Sequence, residues 1–333
     1  MSEPDDTSPR PAGVREVAAH AGVSTQTVSR VLNGHANIRS STRQRVLEAI
    51  EALGYRVNNA ARSLGTRESR TIGLIASDAA LYGPSAGIAA VEAAARAAGR
   101  WVAAAYAPAE DEASMLAALE HLRAQGVDGI LLVAPHARTL QTLVAADPGL
   151  PVIALHGGSG ADRQAAGVGL VVDHLVRLGH RRIAELAGPD DWLEAAARSR
   201  GLRWALTTHD LTAVGRWEGD WSAAAGHVHA EEIAAAVARD DGPTAIVVAN
   251  DQMALGLIAG LRSLGVEVPG DVSVSGFDDN PDAAFYRPAL TTVRLDIAGE
   301  ARQCVGAVLG DLEPPTPEGP ELIPRASTAA PRS

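Results

Sequence analysis

The feature that most restricts this chain is an alternation that begins at Thr71, where short, almost continuously apolar runs are separated by segments with helical spacing. Runs of strand length at Thr71–Ala76, Trp101–Ala105, Gly129–Val133 and Val152–Leu155 alternate with predicted helices near 84–98, 111–125 and 137–146. A second series predicts helices at 167–178, 191–207, 223–239 and 251–264, with strands at 182–187, 245–249 and 272–276. A strand that is apolar at nearly every residue has to be covered on both faces, as happens in a parallel sheet flanked by helices. Two such series predict two Rossmann-like lobes. Ligands of such sheets sit beyond the carboxyl ends of the strands, which here is the cleft between the lobes.

The stretch before this alternation obeys different rules. Val14, Val17, Ala18 and Ala21 fall on one face of a short helix,. Gly22 supplies a sharp turn, and Ser24 is a natural N-cap for a second helix, Thr25 to Leu32, buried through Val28, Val31 and Leu32,. Two short helices joined by a glycine turn read either as a helical hairpin in a core or as a helix-turn-helix, whose second helix enters the major groove of DNA. Ser40 or Ser41 can cap a third helix running to about Leu53, with Val46, Leu47, Ile50 and Leu53 on its apolar stripe and Gly54 as its stop,. A headpiece of 13–57 is thereby delimited, followed at 58–70 by a short helix that Asn58 could cap and a polar linker. A six-residue helix at 59–64 is too short to be stable alone, so it either folds on a partner or is plain linker.

Charge decides between the two readings of the hairpin. The net charge of −11 argues against a nucleic-acid binder when taken alone. Residues 10–70, however, carry ten arginines against four acids, whereas nineteen arginines face thirty-three acids from residue 71 onward. A small basic head on an acidic body is the electrostatic footprint of a DNA-binding domain attached to a separate module. All 29 basic residues are arginine, a usage to which no function is assigned.

Other classes lack their signatures. The single cysteine, Cys304, excludes an intrachain disulfide framework and fits a reducing cytoplasm,. Met1 to Arg10 is polar and acidic, with no apolar stretch to serve as a signal peptide, and no run long enough to span a membrane occurs,. A cytoplasmic protein without membrane association is therefore expected. No metal-ligand cluster, nucleophile–base pair or cofactor motif stands out. Ser77-Asp-Ala-Ala-Leu81 follows the first strand where a phosphate-binding enzyme would carry glycines, so neither a metal, a cofactor nor an enzymatic activity is expected,.

Taken together, several segments resemble the LacI/GalR family of transcriptional regulators over about residues 13–330. They are Val17-Ala-Ala-His-Ala-Gly-Val-Ser-Thr-Gln-Thr-Val-Ser-Arg-Val-Leu-Asn33, Leu53-Gly-Tyr55, His174-Leu-Val-Arg-Leu-Gly-His-Arg-Arg-Ile-Ala184, Glu218-Gly-Asp-Trp-Ser222, Ala249-Asn-Asp-Gln-Met-Ala-Leu-Gly256, Val274-Ser-Gly-Phe-Asp-Asp279 and Leu290-Thr-Thr-Val293. The resemblance implies an all-α helix-turn-helix headpiece followed by a two-lobed, periplasmic-binding-protein-like α/β core, with one lobe built from 71–165 with 294–312 and the other from 166–293 with 313–330. It implies base contacts by Thr25, Gln26 and Arg30, since Gln suits adenine and Arg suits guanine in the major groove. Phosphate contacts would come from Ser24, Asn33, Thr42 and Tyr55. Asn58, Ala61 and Leu64 would belong to a hinge helix in the minor groove, with Leu64 as its apolar wedge. A near-palindromic operator and a homodimer follow. The tail from Glu313 lacks leucine heptads, which favours the dimer over a tetramer,.

For the effector cleft, the resemblance implies Arg200, Asn250 and Asp278 as polar ligands of a sugar, Trp221 as a flat wall, and Leu81, Pro84 and Ile88 on the opposite side. Arg200 could instead be a surface arginine beside Arg198 and Arg203, and Trp221 could be plain core. His156 stands where a sugar-regulated member has an acidic ligand, Ile297 replaces an aromatic wall residue, and Leu295 replaces a polar one. The stretch from Gly157 to Gly167 is several residues short and lacks a strand leading into the second lobe, leaving Asp162-Arg163 near a position usually acidic. The expected function is a repressor released from its operator by a sugar, a β-galactoside or related glycoside. The alternatives are the same DNA reader with a purine corepressor, or a sugar receptor without DNA function. A purine would call for aromatic residues to sandwich the base, and the chain has only two Phe.

Overall fold

The computed structural model describes residues 12–32, 37–55, 69–108, 110–134, 136–146 and 149–332. The chain forms two compact units, 1–69 and 70–333. Asn33, Asn58, Ala61 and Leu64, with the expected hinge helix, lie outside the described residues.

In the first unit, helices α1 (Val14–Ala21), α2 (Thr25–Leu32) and α3 (Ser40–Ala52) close a small core of Val17, Ala18, Ala21, Val28, Val31, Val46 and Ala49. Gly22 ends α1 in the left-handed conformation, with φ of 63°. The Ser24 hydroxyl accepts from the Thr27 N–H at 3.1 Å, capping α2 as its sequence predicts,.

The second unit contains both lobes. Strands β1 (Thr71–Ala76), β2 (Trp101–Tyr106), β3 (Ile130–Val133) and β4 (Val152–Ala154) form a parallel sheet in the order β2-β1-β3-β4. Helices α4 (Tyr82–Ala97), α5 (Glu112–Ala124) and α6 (Ala137–Ala145) connect them. Alternate strand residues go to opposite sides: Leu131 and Val133 meet α4, whereas Ile130 and Leu132 meet α5 and α6. Burial on both sides is why these strands read as continuous apolar runs.

The other sheet repeats this plan with β5 (Ile183–Ala187), β6 (Arg216–Glu218), β7 (Ala245–Val248) and β8 (Ser273–Ser275), in the order β6-β5-β7-β8. Its helices are α7 (Ser159–Arg177), α8 (Leu193–Thr208), α9 (Ala223–Val228), α10 (Ala230–Val237) and α11 (Asp251–Ser263). The predicted helix over 223–239 is thus two helices. The predicted helix from 167 starts eight residues earlier, at Ser159, so α7 follows β4 directly and takes the place of the missing strand. The proposed lobe boundary at 165/166 therefore falls inside a helix, and the change of lobe occurs near residues 155–159.

The chain then returns. Strand β9 (Thr292–Arg294) leads to α12 (Ile297–Val308), whose Ala301, Cys304, Val305 and Val308 pack on the first lobe. Strand β10 (Glu321–Ile323) comes back to pair antiparallel with β9. Beyond it the Ser327 hydroxyl donates to the Val274 carbonyl at 2.6 Å, and Thr328 meets His174 at 2.9 Å. The Pro-rich tail thus ends tied to the second lobe. Among the described residues no helix is long and apolar enough to cross a membrane.

Candidate functional site: a cleft at the strand ends

The segments that follow the strands converge on one pocket. Leu81, Gly83 and Pro84 follow β1, Val133 and Ala134 end β3, and His156 follows β4. From the second lobe come Trp192, Glu194 and Arg198 after β5, Trp221 after β6, Asn250 and Gln252 after β7, and Asp278 after β8. Gln164 of α7 and the pair Leu295 and Ile297, on the return to the first lobe, complete the lining. This is the location that open parallel sheets reserve for ligands.

Arg198 is the hub. Its Nε donates to Gln164 Oε1 at 2.7 Å, Nη2 to Asp278 Oδ1 at 3.1 Å, and Nη1 to the Ala249 carbonyl. The guanidinium lies 4.0 Å from the Phe277 ring centroid and 5.5 Å from that of Trp221, a cation–π placement on both,. Burial makes Asp278 a weaker acid than usual, although the Arg198 charge pulls the other way,.

His156 is fixed by a residue that is distant in sequence. Its N–H donates to Glu300 Oε1 at 2.7 Å, and its Nδ1 lies 3.1 Å from Glu300 Oε2. Burial disfavours the imidazolium, but the hydrogen bond and charge of Glu300 outweigh burial and raise the pKa of His156. For Glu300, burial is offset by the same bond, by His156 and by Arg163, and the net direction is downward. Glu194 is buried, and burial weakens its acidity.

Trp221 and Trp192 meet edge to face, with centroids 5.4 Å apart and planes at 62°. Gly188 makes room for the first of them, since a Cβ there would collide with the Trp221 ring. Asn250 caps α11 by accepting from the Met253 N–H at 2.9 Å and donates to the Trp221 carbonyl at 3.0 Å, so it also holds that wall. Eight non-glycine residues among those described have positive φ, and four of them, Ala134, His156, Trp221 and Asp278, line this pocket. Left-handed backbone costs about 1–3 kcal/mol per residue, so such clustering marks a site at which geometry prevails over stability.

The structure brings together Leu81, Pro84, His156, Trp221, Asn250 and Asp278 as expected. Two expectations are corrected. Arg200 is exposed on the outer side of α8, two residues and 200° of helical rotation from Arg198, which occupies the cleft,. Ile88 lies one turn beyond Pro84 along α4 and packs into the first lobe's core instead of lining the pocket. Glu194, Gln164, Trp192 and Glu300 were not anticipated. Near the shortened crossover, Asp162 stays exposed, while Arg163 turns to Glu300 at 3.5 Å.

In the headpiece, Thr25, Gln26 and Arg30 are exposed on α2, as is Ser24 at its cap. Thr42 is half-buried in the first turn of α3, and Tyr55 packs against the headpiece core. Among the described residues no group of three His, Cys, Asp or Glu side chains could hold a metal ion.

A two-lobed α/β core with a polar and aromatic cleft, on one chain with a helix-turn-helix unit, defines the class: an effector-binding DNA-reading regulator. Residues 14–58 match the lacI family of bacterial regulatory proteins, and residues 172–329 match the periplasmic binding protein-like domain. The chain is 33% identical to the lactose operon repressor of Escherichia coli K12, over 97% of its own length and 92% of that repressor. Among solved structures, a lac repressor dimer bound to operator and the anti-inducer ONPF matches with a TM-score of 0.80 at 31% identity, over 96% of this chain and 100% of the other. A complex of the transcriptional regulator CelR with cellobiose matches with a TM-score of 0.66 at 28% identity, over 95% and 99%. The chain belongs to the lacI family of DNA-binding transcriptional regulators.

Proposed function

We propose that this protein is a repressor that binds a near-palindromic operator as a homodimer in the cytoplasm and is released from it by a neutral sugar, a β-linked glycoside, held in the cleft. The observation that carries the reading is the cleft itself. A pinned Arg198–Asp278 pair supplies donors and acceptors for vicinal hydroxyls, the indole of Trp221 offers a flat face to a pyranose, and Leu295 and Ile297 supply apolar walls,. Trp192 and Trp221 meet edge to face and so do not form a parallel slot for a purine, which weighs against a corepressor of that kind. Cellobiose in the related CelR complex supports a sugar ligand.

Thr25, Gln26 and Arg30 are the proposed base-reading residues, and Ser24, Thr42 and Tyr55 the phosphate contacts. Dimerisation is supported by apolar side chains exposed in each lobe: Trp101 and Tyr106 on the edge strand β2, and Val228, Leu255 and Phe285 in the second lobe. Release requires the sugar to bind the DNA-free conformation more tightly than the DNA-bound one, because equal affinity shifts nothing.

The test is to select operator sequences from a random pool and measure binding by gel shift with and without millimolar lactose or cellobiose. Release by either sugar is expected. Gln26→Ala and Arg30→Ala should each cost about 1–3 kcal/mol of operator affinity and relax specificity at one position per half-site. Operator binding indifferent to every neutral glycoside tried would refute sugar release.

A further inference from the structure

Three buried polar atoms on residues that line the cleft have no partner in the protein: Glu194 Oε2, Gln164 Nε2 and Trp221 Nε1. Their residues are 6%, 0% and 5% exposed. The orientation of Gln164 is fixed, because its Oε1 accepts from Arg198, which leaves the amide nitrogen as the group still to be used. Trp221 Nε1 can only donate, and Glu194 Oε2 is an acceptor whenever the carboxyl is ionised. The cleft therefore asks its ligand for two acceptors and one donor within the span of a few side chains.

An anionic ligand meets opposition. The guanidinium of Arg198 is bonded to Asp278, Gln164 and the Ala249 carbonyl, so its charge is paired although two of its five N–H groups are left for hydroxyls, and Glu194 adds a carboxylate with no basic side chain bonded to it,. An uncharged hydroxyl, donor and acceptor at one oxygen, satisfies all three atoms. We propose that Glu194 and Gln164 are specificity-determining residues that favour hydroxyl groups of the ligand and exclude sugars bearing a carboxylate or a phosphate from this cleft. The inference rests on the sugar reading above and narrows it.

The experiment uses the full chain at pH 8 and titration calorimetry. The probes are methyl β-glucoside and methyl β-galactoside, each compared with its uronide. The uncharged member should bind about 100-fold more tightly than the uronide, the scale of an unpaired charge against fixed groups. Glu194→Gln should reduce the discrimination against the uronide at least tenfold, and Gln164→Leu should weaken the uncharged glycoside about tenfold.

A ligand-free readout separates recognition from a structural role. Glu194→Leu removes an unsatisfied buried acceptor and should raise Tm by about 2–4 °C. Uronides that bind as well as the parent glycosides, or a Glu194→Gln variant with unchanged discrimination, would overturn the inference while leaving the sugar reading intact. A fall in Tm for Glu194→Leu would make Glu194 a structural residue and overturn it too. If none of the probes binds, the sugar reading fails and this inference with it.

Discussion

Replacing Arg198 with alanine, beside Arg200→Ala as its partner experiment, tests the hub of the cleft most directly. Loss of the guanidinium leaves Asp278, whose side chain is only 13% exposed, without its cation, which in protein interiors costs about 3–5 kcal/mol,. Gln164 Oε1 and the Ala249 carbonyl lose charged donors as well, at about 1–3 kcal/mol each if nothing replaces them,. These losses do not add. Water can enter from the cleft, and Asp278, already weakened as an acid by burial, can take up a proton and limit the cost. A net loss of about 4 kcal/mol is the reasonable expectation, which for a unit of this size lowers Tm by roughly 10 °C. Arg200 is exposed, so its replacement should stay within about 0.5 kcal/mol,. Arg198→Lys should recover less than half of the loss, because an ammonium cannot reproduce the three-way fork. Thermal unfolding followed by calorimetric titration with lactose and cellobiose reads both stability and affinity. If Arg200→Ala lowered Tm or sugar affinity as much as Arg198→Ala, or if Arg198→Ala changed neither, the assignment of the hub would be refuted.

Two further outcomes follow from other parts of the chain. Asp251, buried under the Thr292 hydroxyl and the Asn280 N–H, has its pKa raised to about 8, chiefly by burial and then by Asp278. Between its unfolded value near 4 and this folded value the native state holds one extra proton, so stability falls with rising pH, by at most about 1.4 kcal/mol per unit; urea titrations from pH 5 to pH 8 should show the decline, and Asp251→Asn should flatten it. At Gly22, with φ of 63°, valine forces a β-branched residue into left-handed backbone at about 1–3 kcal/mol, so Gly22→Val should weaken operator binding in a gel shift while sugar affinity stays at the parent value,.

How much was readable in the sequence depended on whether the deciding contact was local. The strand–helix alternation predicted both parallel sheets because burial on two faces writes itself into consecutive residues. Gly22 and Ser24 announced the turn and the cap through chemistry confined to four positions. Arg200 shows where a motif match alone fails. Leu202, Ala205 and Leu206 set the buried face of α8, and stepping back four residues from Leu202 reaches Arg198, with Glu194 another four before it. The helical phase therefore held the answer that proximity to a family motif did not. Glu300 was invisible for a different reason: its partner His156 is 144 residues away, and only the return of α12 to the first lobe joins them. Gln164 was missed because the helix was predicted only from residue 167, whereas α7 begins at Ser159 without a side-chain cap to announce it.

The three passages of chain between the lobes set how the core can move. The first runs from β4 into α7, the second from β9 into α12, and the third from α12 to β10. They are bundled: β9 and β10 are hydrogen-bonded to each other, and Arg163 and Gln303 tie the first passage to α12 at 3.3 Å. A single connector would act as a ball joint, free to twist and slide. Three connectors fastened along one seam behave as a door hinge, suppressing torsion and shear and leaving one rocking coordinate. His136 and Trp192, whose backbones bridge between the lobes, and the Tyr82 N–H donating to Gln252 sit on that coordinate's free edge. Ligand size in such a core is converted into a single angle, so a regulator built this way reports occupancy on one mechanical degree of freedom.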